Sequence, residues 1–273
     1  MYESYWQLRQ KPFENNADPQ FYYPGESHQA ALLKLRYALE NRRGGALLAG
    51  ASGCGKTLLV NMLRAALGET FTPFVHLVFP QMSTAELLAF LADELDGHNS
   101  SGLQAGVQES IHRIQQALAE NTRNGRHAVL VVDEAHLLDN GHTLESLRLL
   151  LNFQSDNRAG LTLLLAGQPG LLATLTRMPQ LEERLGVKCL LRPYSEEETA
   201  AYVSHRLRVA GAREPIFEAD AFPALHALTH GIARRINRLC DLSLLIGFAE
   251  ERRTLNAEHV ESVCQELVTV TPE

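Results

Sequence analysis

The stretch Gly50-Ala51-Ser52-Gly53-Cys54-Gly55-Lys56-Thr57 satisfies the spacing G-x-x-x-x-G-K-[S/T] at every required position. Its glycines free the backbone to turn so that successive N–H groups point inward, where side chains would otherwise keep a phosphate out. Lys56 adds a positive charge for the outer phosphates, and the Thr57 hydroxyl suits a Mg²⁺ ion. Ahead of the loop, Ala46-Leu47-Leu48-Ala49 is a short apolar run suited to a buried parallel strand. Behind it, Leu58, Leu59, Met62, Leu63, Ala66 and Leu67 recur at helical spacing. The loop therefore opens onto a helix N-terminus with its positive dipole end. The candidate contacts run from Gly50 to Leu58, and the ligand they imply is a nucleoside triphosphate with Mg²⁺.

A second stretch supplies acids. Val129-Leu130-Val131-Val132-Asp133-Glu134 describes a buried strand that delivers two carboxylates to its C-terminal end, the edge at which open α/β sheets bind ligands. Burying two carboxylates together is costly unless a cation compensates. Beside a phosphate loop that cation is Mg²⁺ held through Asp133, which leaves Glu134 to orient or deprotonate an attacking water. Hydrolysis is the activity this pair implies. A further apolar run, Leu161 to Leu165, ends at Ala166-Gly167-Gln168-Pro169. Gln168 stands where a strand-end polar group touches the γ-phosphate or the water, or else it is a turn residue.

Bulk properties narrow the class. The chain has 273 residues, 45% hydrophobic and 21% charged, with a formal net charge of -7 and a pI near 5.9. This describes a globular protein without the broad basic surface that holds nucleic acid nonspecifically. No basic lead with an apolar block opens the chain, and no apolar run approaches the ~20 residues of a membrane-spanning helix. Cys54, Cys189, Cys240 and Cys264 show neither C-x-x-C pairing nor metal-ligand spacing, so reduced thiols and a cytoplasmic location are expected.

The remaining segments place these motifs. Residues 1–45 form a lead-in with turn-forming Pro12-Phe13-Glu14-Asn15-Asn16, an aromatic cluster Phe21-Tyr22-Tyr23 and a helix from near Glu26 to Asn41. Its expected inner face is Ala30, Leu33, Tyr37 and Ala38. The aromatics either wall an adenine base or pack the lead-in onto the core. Phe74 to Val78 reads as a strand, Ser83-Thr84-Ala85-Glu86 as a capping box, and residues 96–106 as a polar surface loop. Helices are expected over Val107–Thr122 and Thr143–Gln154, then a short helical piece at Leu181–Leu185 and a strand at Lys188–Leu191. Strands alternate with helices throughout 46–191, which implies a parallel sheet covered on both faces. From Pro193 the pattern is helical only, with segments to Val209 and at Ala219–Thr229, Ala233–Glu250 and Asn256–Leu267. The expected division is a lead-in at 1–45, a core at 46–192 and a helical lid at 193–273.

Together the loop at 50–57, the Asp133-Glu134 strand, the Gln168 strand end and the helical segment after Pro193 resemble the AAA+ ATPases. More narrowly, Pro12-Phe13, Asp18-Pro19-Gln20-Phe21-Tyr22, Asp133-Glu134-Ala135-His136 and Gly231-Ile232-Ala233-Arg234-Arg235-Ile236-Asn237-Arg238-Leu239 resemble the ATPase domain of general secretion pathway protein A. The resemblance implies a P-loop NTPase fold, a three-layer parallel sheet with helices on both faces plus a small all-helical C-terminal lid. It also implies ATP as the nucleotide, Mg²⁺ as its metal, and an oligomer as the working form. Arg234 then matches the lid sensor arginine that contacts the γ-phosphate of its own subunit. Arg184, with Arg177 as competitor, matches the arginine finger that completes a neighbour's site. Family members usually carry Asn, Thr or Ser at the place of Gln168. The partner implied is a secretion-complex protein. The related transposition-regulator ATPases offer an alternative, a DNA-binding ATPase using Arg234, Arg235, Arg238, Arg252 and Arg253, although acids outnumber bases in the lid as in the whole chain.

Overall fold

The computed structural model describes residues 1–97, 106–138, 141–155 and 158–269. Most of the polar loop expected at 96–106 lies outside them. In chain order the elements are α1 (Glu26–Glu40), β1 (Gly45–Gly50), α2 (Lys56–Ala66), β2 (Phe74–Leu77), α3 (Thr84–Asp96), α4 (Val107–Arg123) and β3 (Ala128–Val132). Then come α5 (His142–Leu150), β4 (Gln154–Ser155), β5 (Arg158–Ala159), β6 (Leu161–Gly167), α6 (Gly170–Thr176), α7 (Pro179–Glu182) and β7 (Leu185–Leu191). The chain closes with α8 (Glu196–Val209), α9 (Ala221–Thr229), α10 (Ala233–Ala249) and α11 (Ala257–Thr269).

Two compact units result, one made of residues 29–50 and 59–191, the other of 1–28, 51–58 and 192–273. The first is built on a sheet of five strands in the order β2-β3-β6-β1-β7. Every pairing in it is parallel. β1, β3 and β6 are buried at every position, as continuous Leu/Val/Ala runs require when both faces of a sheet are covered. β7, at one edge, instead alternates between buried Leu185, Cys189 and Leu191 and exposed Gly186, Lys188 and Leu190. The core gathers Leu47, Leu130, Leu163 and Leu165 from the strands with Leu87, Leu91, Ile114, Leu118, Leu144 and Leu147 from α3, α4 and α5. The α3 capping box forms as the sequence indicates, with Ser83 accepting from the Glu86 N–H and the Glu86 carboxylate accepting from the Ser83 N–H.

Three local expectations need correction. The inner face of α1 is Ala31, Leu35, Ala38 and Leu39, leaving Ala30 and Leu33 exposed, the latter by 71%. Tyr37 also points outward, under the Arg43 guanidinium. The buried stripe thus runs one residue out of phase with the one expected. α5 ends at Leu150, and Gln154 belongs to a short antiparallel ribbon with Ala159. β7 starts at Leu185, the residue expected to end the helical piece, and Gly186 packs against Arg43 within the strand, ahead of the expected start at Lys188.

A buried histidine stands in this unit. His127 is fully inaccessible, and its Nε2 lies 2.8 Å from the Thr162 hydroxyl. Burial, helped by the charge of Arg42, pushes its pKa down to about 4. The unfolded chain therefore takes up a proton between the ordinary value near 6.5 and 4 that the folded chain refuses. Stability is full above that window and falls as pH drops through it, by about 3 kcal/mol in total. Urea unfolding at pH 7.5 and 4.5 should show this loss, and His127→Gln, which keeps a polar group toward Thr162, should lose less. An equal loss in both proteins would rule His127 out as the source.

The second unit is helical. Tyr2, Trp6, Leu8, Phe13 and Phe21 share one apolar core with Tyr194, Tyr202, Leu207, Leu225, Ile236, Leu244 and Val260. Phe13 and Phe21 therefore pack onto the C-terminal helices. The buried Arg206 fixes this arrangement, donating to the carbonyls of Pro12 at 2.6 Å and Glu14 at 3.0 Å and lying over the Phe21 ring. Among the described residues, no helix is long and apolar enough to cross a membrane.

Candidate nucleotide-binding site

The parallel sheet decides where chemistry can occur. β1 runs out at Gly50, the first residue of the phosphate loop, and β3 runs out just before Asp133. Between them in the sheet stands β6, paired through Ala49–Gly167 on one side and Val132–Leu165 on the other. Gly50, Gln168 and the acid pair thus leave three adjacent strands at the same, C-terminal edge, the edge that binds ligands in such sheets.

At that edge the two acids differ in setting. Asp133 is 2% exposed, accepts the Glu134 N–H on Oδ1 at 2.9 Å, and has Oδ2 3.6 Å from His76 Nε2. His76 comes from β2, where the pairing of Leu77 with Val132 sets it beside Asp133. Glu134 sits in the left-handed region, φ 49°, a strained turn that swings its carboxylate away from the strand and leaves it partly exposed. Its Oε2 lies 3.3 Å from His136 Nδ1, the atom that also lies 3.4 Å from the Gln168 N–H. Nδ1 has one bonding position: protonated it donates to Glu134, bare it accepts from Gln168. The two contacts exclude each other, so His136 engages either Glu134 at the end of β3 or Gln168 at the end of β6, one at a time.

In the helical unit, the loop is set by its own carbonyls. Gly53 (φ 82°) and Gly55 (φ 92°) occupy a backbone region that side-chain-bearing residues seldom adopt. Ala51 O accepts from the Cys54 N–H at 3.2 Å and from Lys56 Nζ at 3.3 Å. Gly53 O accepts from the Arg234 N–H at 3.1 Å, and Cys54 O lies 2.8 Å from His28 Nε2. Lys56 is 5% exposed, Cys54 is buried with its thiol pKa raised by that burial, and Thr57 is half-buried. Arg234, at the start of α10, also reaches Ser52 Oγ with its guanidinium at 3.5 Å. Its approach depends on Gly231 (φ 68°), where an added Cβ would stand 2.0 Å from Tyr194 O.

The donor set fits the ligand that the sequence implies. Within the loop, a turn of glycines, a buried ammonium and a helix N-terminus suit phosphate, and in the other unit Asp133 by itself is a buried carboxylate of the kind that Mg²⁺ takes as an oxygen donor. Arg184 is exposed, donates to Asn152 Oδ1 at 3.0 Å, and stands between α7 and β7, directly before Leu185. That is the strand-start edge of the sheet, opposite the edge of Gly50 and Asp133. Arg177, capping α6, is exposed as well. Sequence reasoning missed His28, His76 and the place of His136, for none sits in a motif that assigns it.

Comparison with known proteins agrees with this geometry. The AAA domain family matches residues 39–175. General secretion pathway protein A of Aeromonas hydrophila is 36% identical over 252 residues, covering 91% of this chain and 45% of the relative, so the chain spans less than half that protein's length. Among solved structures, Cdc6p from Pyrobaculum aerophilum superposes with a TM-score of 0.73 at 19% identity, covering 96% of this chain and 74% of that one. The Aeropyrum pernix ORC1 protein in complex with DNA gives 0.68 at 19%, with 96% and 69% covered. The Thermotoga maritima RuvB Holliday junction branch migration motor gives 0.60 at 22%, with 89% and 69% covered. At these identities the structures speak for the fold. The family match carries the activity: the chain belongs to the AAA domain family and is a P-loop ATP hydrolase.

Proposed function

We propose that this chain is an ATP-driven oligomeric switch serving the assembly of a secretion or envelope complex from the cytoplasmic side. The observation that carries the ATP-dependent part is the shared sheet edge: the loop strand, the acid strand and the Gln168 strand all end there. In this reading Gly50 to Leu58 hold the phosphates, Thr57 and Asp133 hold Mg²⁺, and Lys56 meets the outer phosphates. Bound Mg²⁺ supplies charge neutralisation across the phosphate oxygens. Glu134 orients and deprotonates the attacking water, Gln168 touches the γ-phosphate or that water, and Arg234 senses the γ-phosphate from the lid. The division into a lead-in at 1–45, a core at 46–192 and a lid at 193–273 belongs to the same proposal.

The oligomer follows from Arg184. It stands at the strand-start edge of the sheet, opposite the edge of Gly50 and Asp133, and by resemblance it matches the finger that completes a neighbour's site. A finger arginine is typically worth ~10³–10⁵ in rate, so an isolated subunit turns over slowly. The secretion role rests on the likeness to general secretion pathway protein A.

Size measurement on the Glu134→Gln protein with and without ATP tests the reading. A larger species formed only with ATP, reverting when nucleotide is removed, is expected. A monomer under all conditions would remove the oligomer and the role of Arg184 with it. Adding duplex DNA decides the alternative: salt-sensitive binding that weakens steeply with added salt would turn the assignment toward a DNA-binding ATPase.

A further inference from the structure

The phosphate loop is held from outside by a histidine that no motif includes. His28 is 4% exposed and stacks on the Tyr194 ring at 5.0 Å. Its Nε2 lies 2.8 Å from Cys54 O. A carbonyl can only accept, so Nε2 carries the proton and donates. In a trans peptide the carbonyl and the following N–H point in opposite directions. Holding Cys54 O against His28 therefore turns the Gly55 N–H away from His28, toward the side from which a phosphate-loop amide works. Gly55 is the residue least able to hold that orientation by itself, since its φ of 92° is one of many it can adopt. An added Cβ at Gly55 would stand 3.6 Å from His28 Nε2, so the ring lies directly against the loop. Burial also lowers the His28 pKa and keeps the ring a neutral donor with a defined tautomer.

The ring is itself fixed. Tyr194 donates its N–H to Gly231 O at 2.9 Å, and Gly231 opens the turn that carries Arg234. Arg234 in turn donates its N–H to Gly53 O at 3.1 Å. The path His28–Tyr194–Gly231–Arg234 begins and ends on the loop, at the neighbouring carbonyls of Cys54 and Gly53.

We propose that His28 is a positioning residue for nucleotide binding, which orients the Cys54–Gly55 peptide so that the Gly55 amide faces the phosphates. The proposal rests on the phosphate-binding reading of residues 50–58 and adds the group that shapes the loop. An amide turned toward phosphate acts equally on bound substrate and on the transition state, so affinity changes and turnover does not.

The test uses His28→Ala and His28→Gln, with Lys56→Ala as a reference, and measures Mg-ADP and Mg-ATP Kd, kcat and melting temperature. His28→Ala leaves Cys54 O without its donor, and both Kd values should rise about tenfold while kcat stays within about twofold. Gln places an amide N–H where Nε2 was, so His28→Gln should recover to within about threefold of the parent. Inorganic tripolyphosphate, which has no base or sugar, should lose competing strength in His28→Ala by the same factor as ADP. Unchanged Kd in His28→Ala, equal weakening in both variants, or a loss confined to adenosine-bearing ligands would each overturn the proposal. Wild-type protein that binds no nucleotide, or a Lys56→Ala protein that binds as well as wild type, would instead sink the phosphate-loop reading, and His28 with it.

Discussion

Glu134→Gln should bind Mg-ATP as tightly as the parent and release phosphate about 10²–10⁴-fold more slowly, the usual worth of a positioned general base. The substitution keeps volume and one carbonyl acceptor and removes basicity, so it isolates proton transfer from packing. The environment of the two acids argues for Glu134 as the base. Asp133 is 2% exposed and already engaged with the Glu134 N–H, a setting for a metal ligand. Glu134 is partly exposed and turned off the strand by its left-handed backbone, so water can reach its carboxylate. Such backbone strain, about 1–3 kcal/mol, persists at functional sites where the surrounding structure holds it. His136 contributes as the neighbour of Glu134, since its Nδ1 cannot serve Glu134 and the Gln168 N–H together. Phosphate release at saturating ATP, paired with retention of labelled ATP on the protein, reads both halves of the expectation. Normal turnover would reassign the base to another group at the sheet edge.

The parts of the site that were legible from sequence are those built within one continuous segment. The phosphate loop needs eight consecutive residues, and the acid pair needs only an apolar strand that stops in carboxylates. Their shared edge follows once alternation of strands and helices dictates a parallel sheet. Contacts that depend on register or on distant segments left no local trace. His76 reaches Asp133 only because Leu77 pairs with Val132, and His28 meets Cys54 through a fold that brings the start of α1 to the loop. Arg234 became visible through family resemblance, and the structure sets it beside Ser52 and Gly53. The phase of α1 was misjudged because Leu33 and Tyr37 satisfy helical spacing as well as Ala31, Leu35 and Leu39 do, and apolar character alone does not say which stripe is covered. The start of β7 was hidden by Gly186, a residue that signals a turn unless a neighbouring backbone closes over it, as that of Arg43 does.

Lys56→Ala should weaken Mg-ATP binding by several hundredfold or more while leaving the fold intact. Lys56 opens α2, and Ala is at least as good a helix former, so the helix does not suffer. The Lys56 ammonium is 5% exposed and donates to Ala51 O at 3.3 Å, which holds the side chain folded back over its own loop. Thermal melting of the variant reports separately on any cost to the fold. The loss falls on the ligand: hydrogen bonds to a charged group are worth about 1.5–3 kcal/mol each, and one ammonium makes one or two to the outer phosphates. Two such bonds amount to about 3–6 kcal/mol, and every 1.4 kcal/mol is about tenfold in Kd. The size of the effect separates Lys56 from His28: a direct phosphate contact should cost far more than the orientation of one amide. Fluorescent-nucleotide titration alongside thermal melting measures both terms. Binding within about threefold of the parent, in a protein that melts normally, would mean that the triphosphate does not sit in residues 50–58. The role proposed for His28 would then have no ligand to act on.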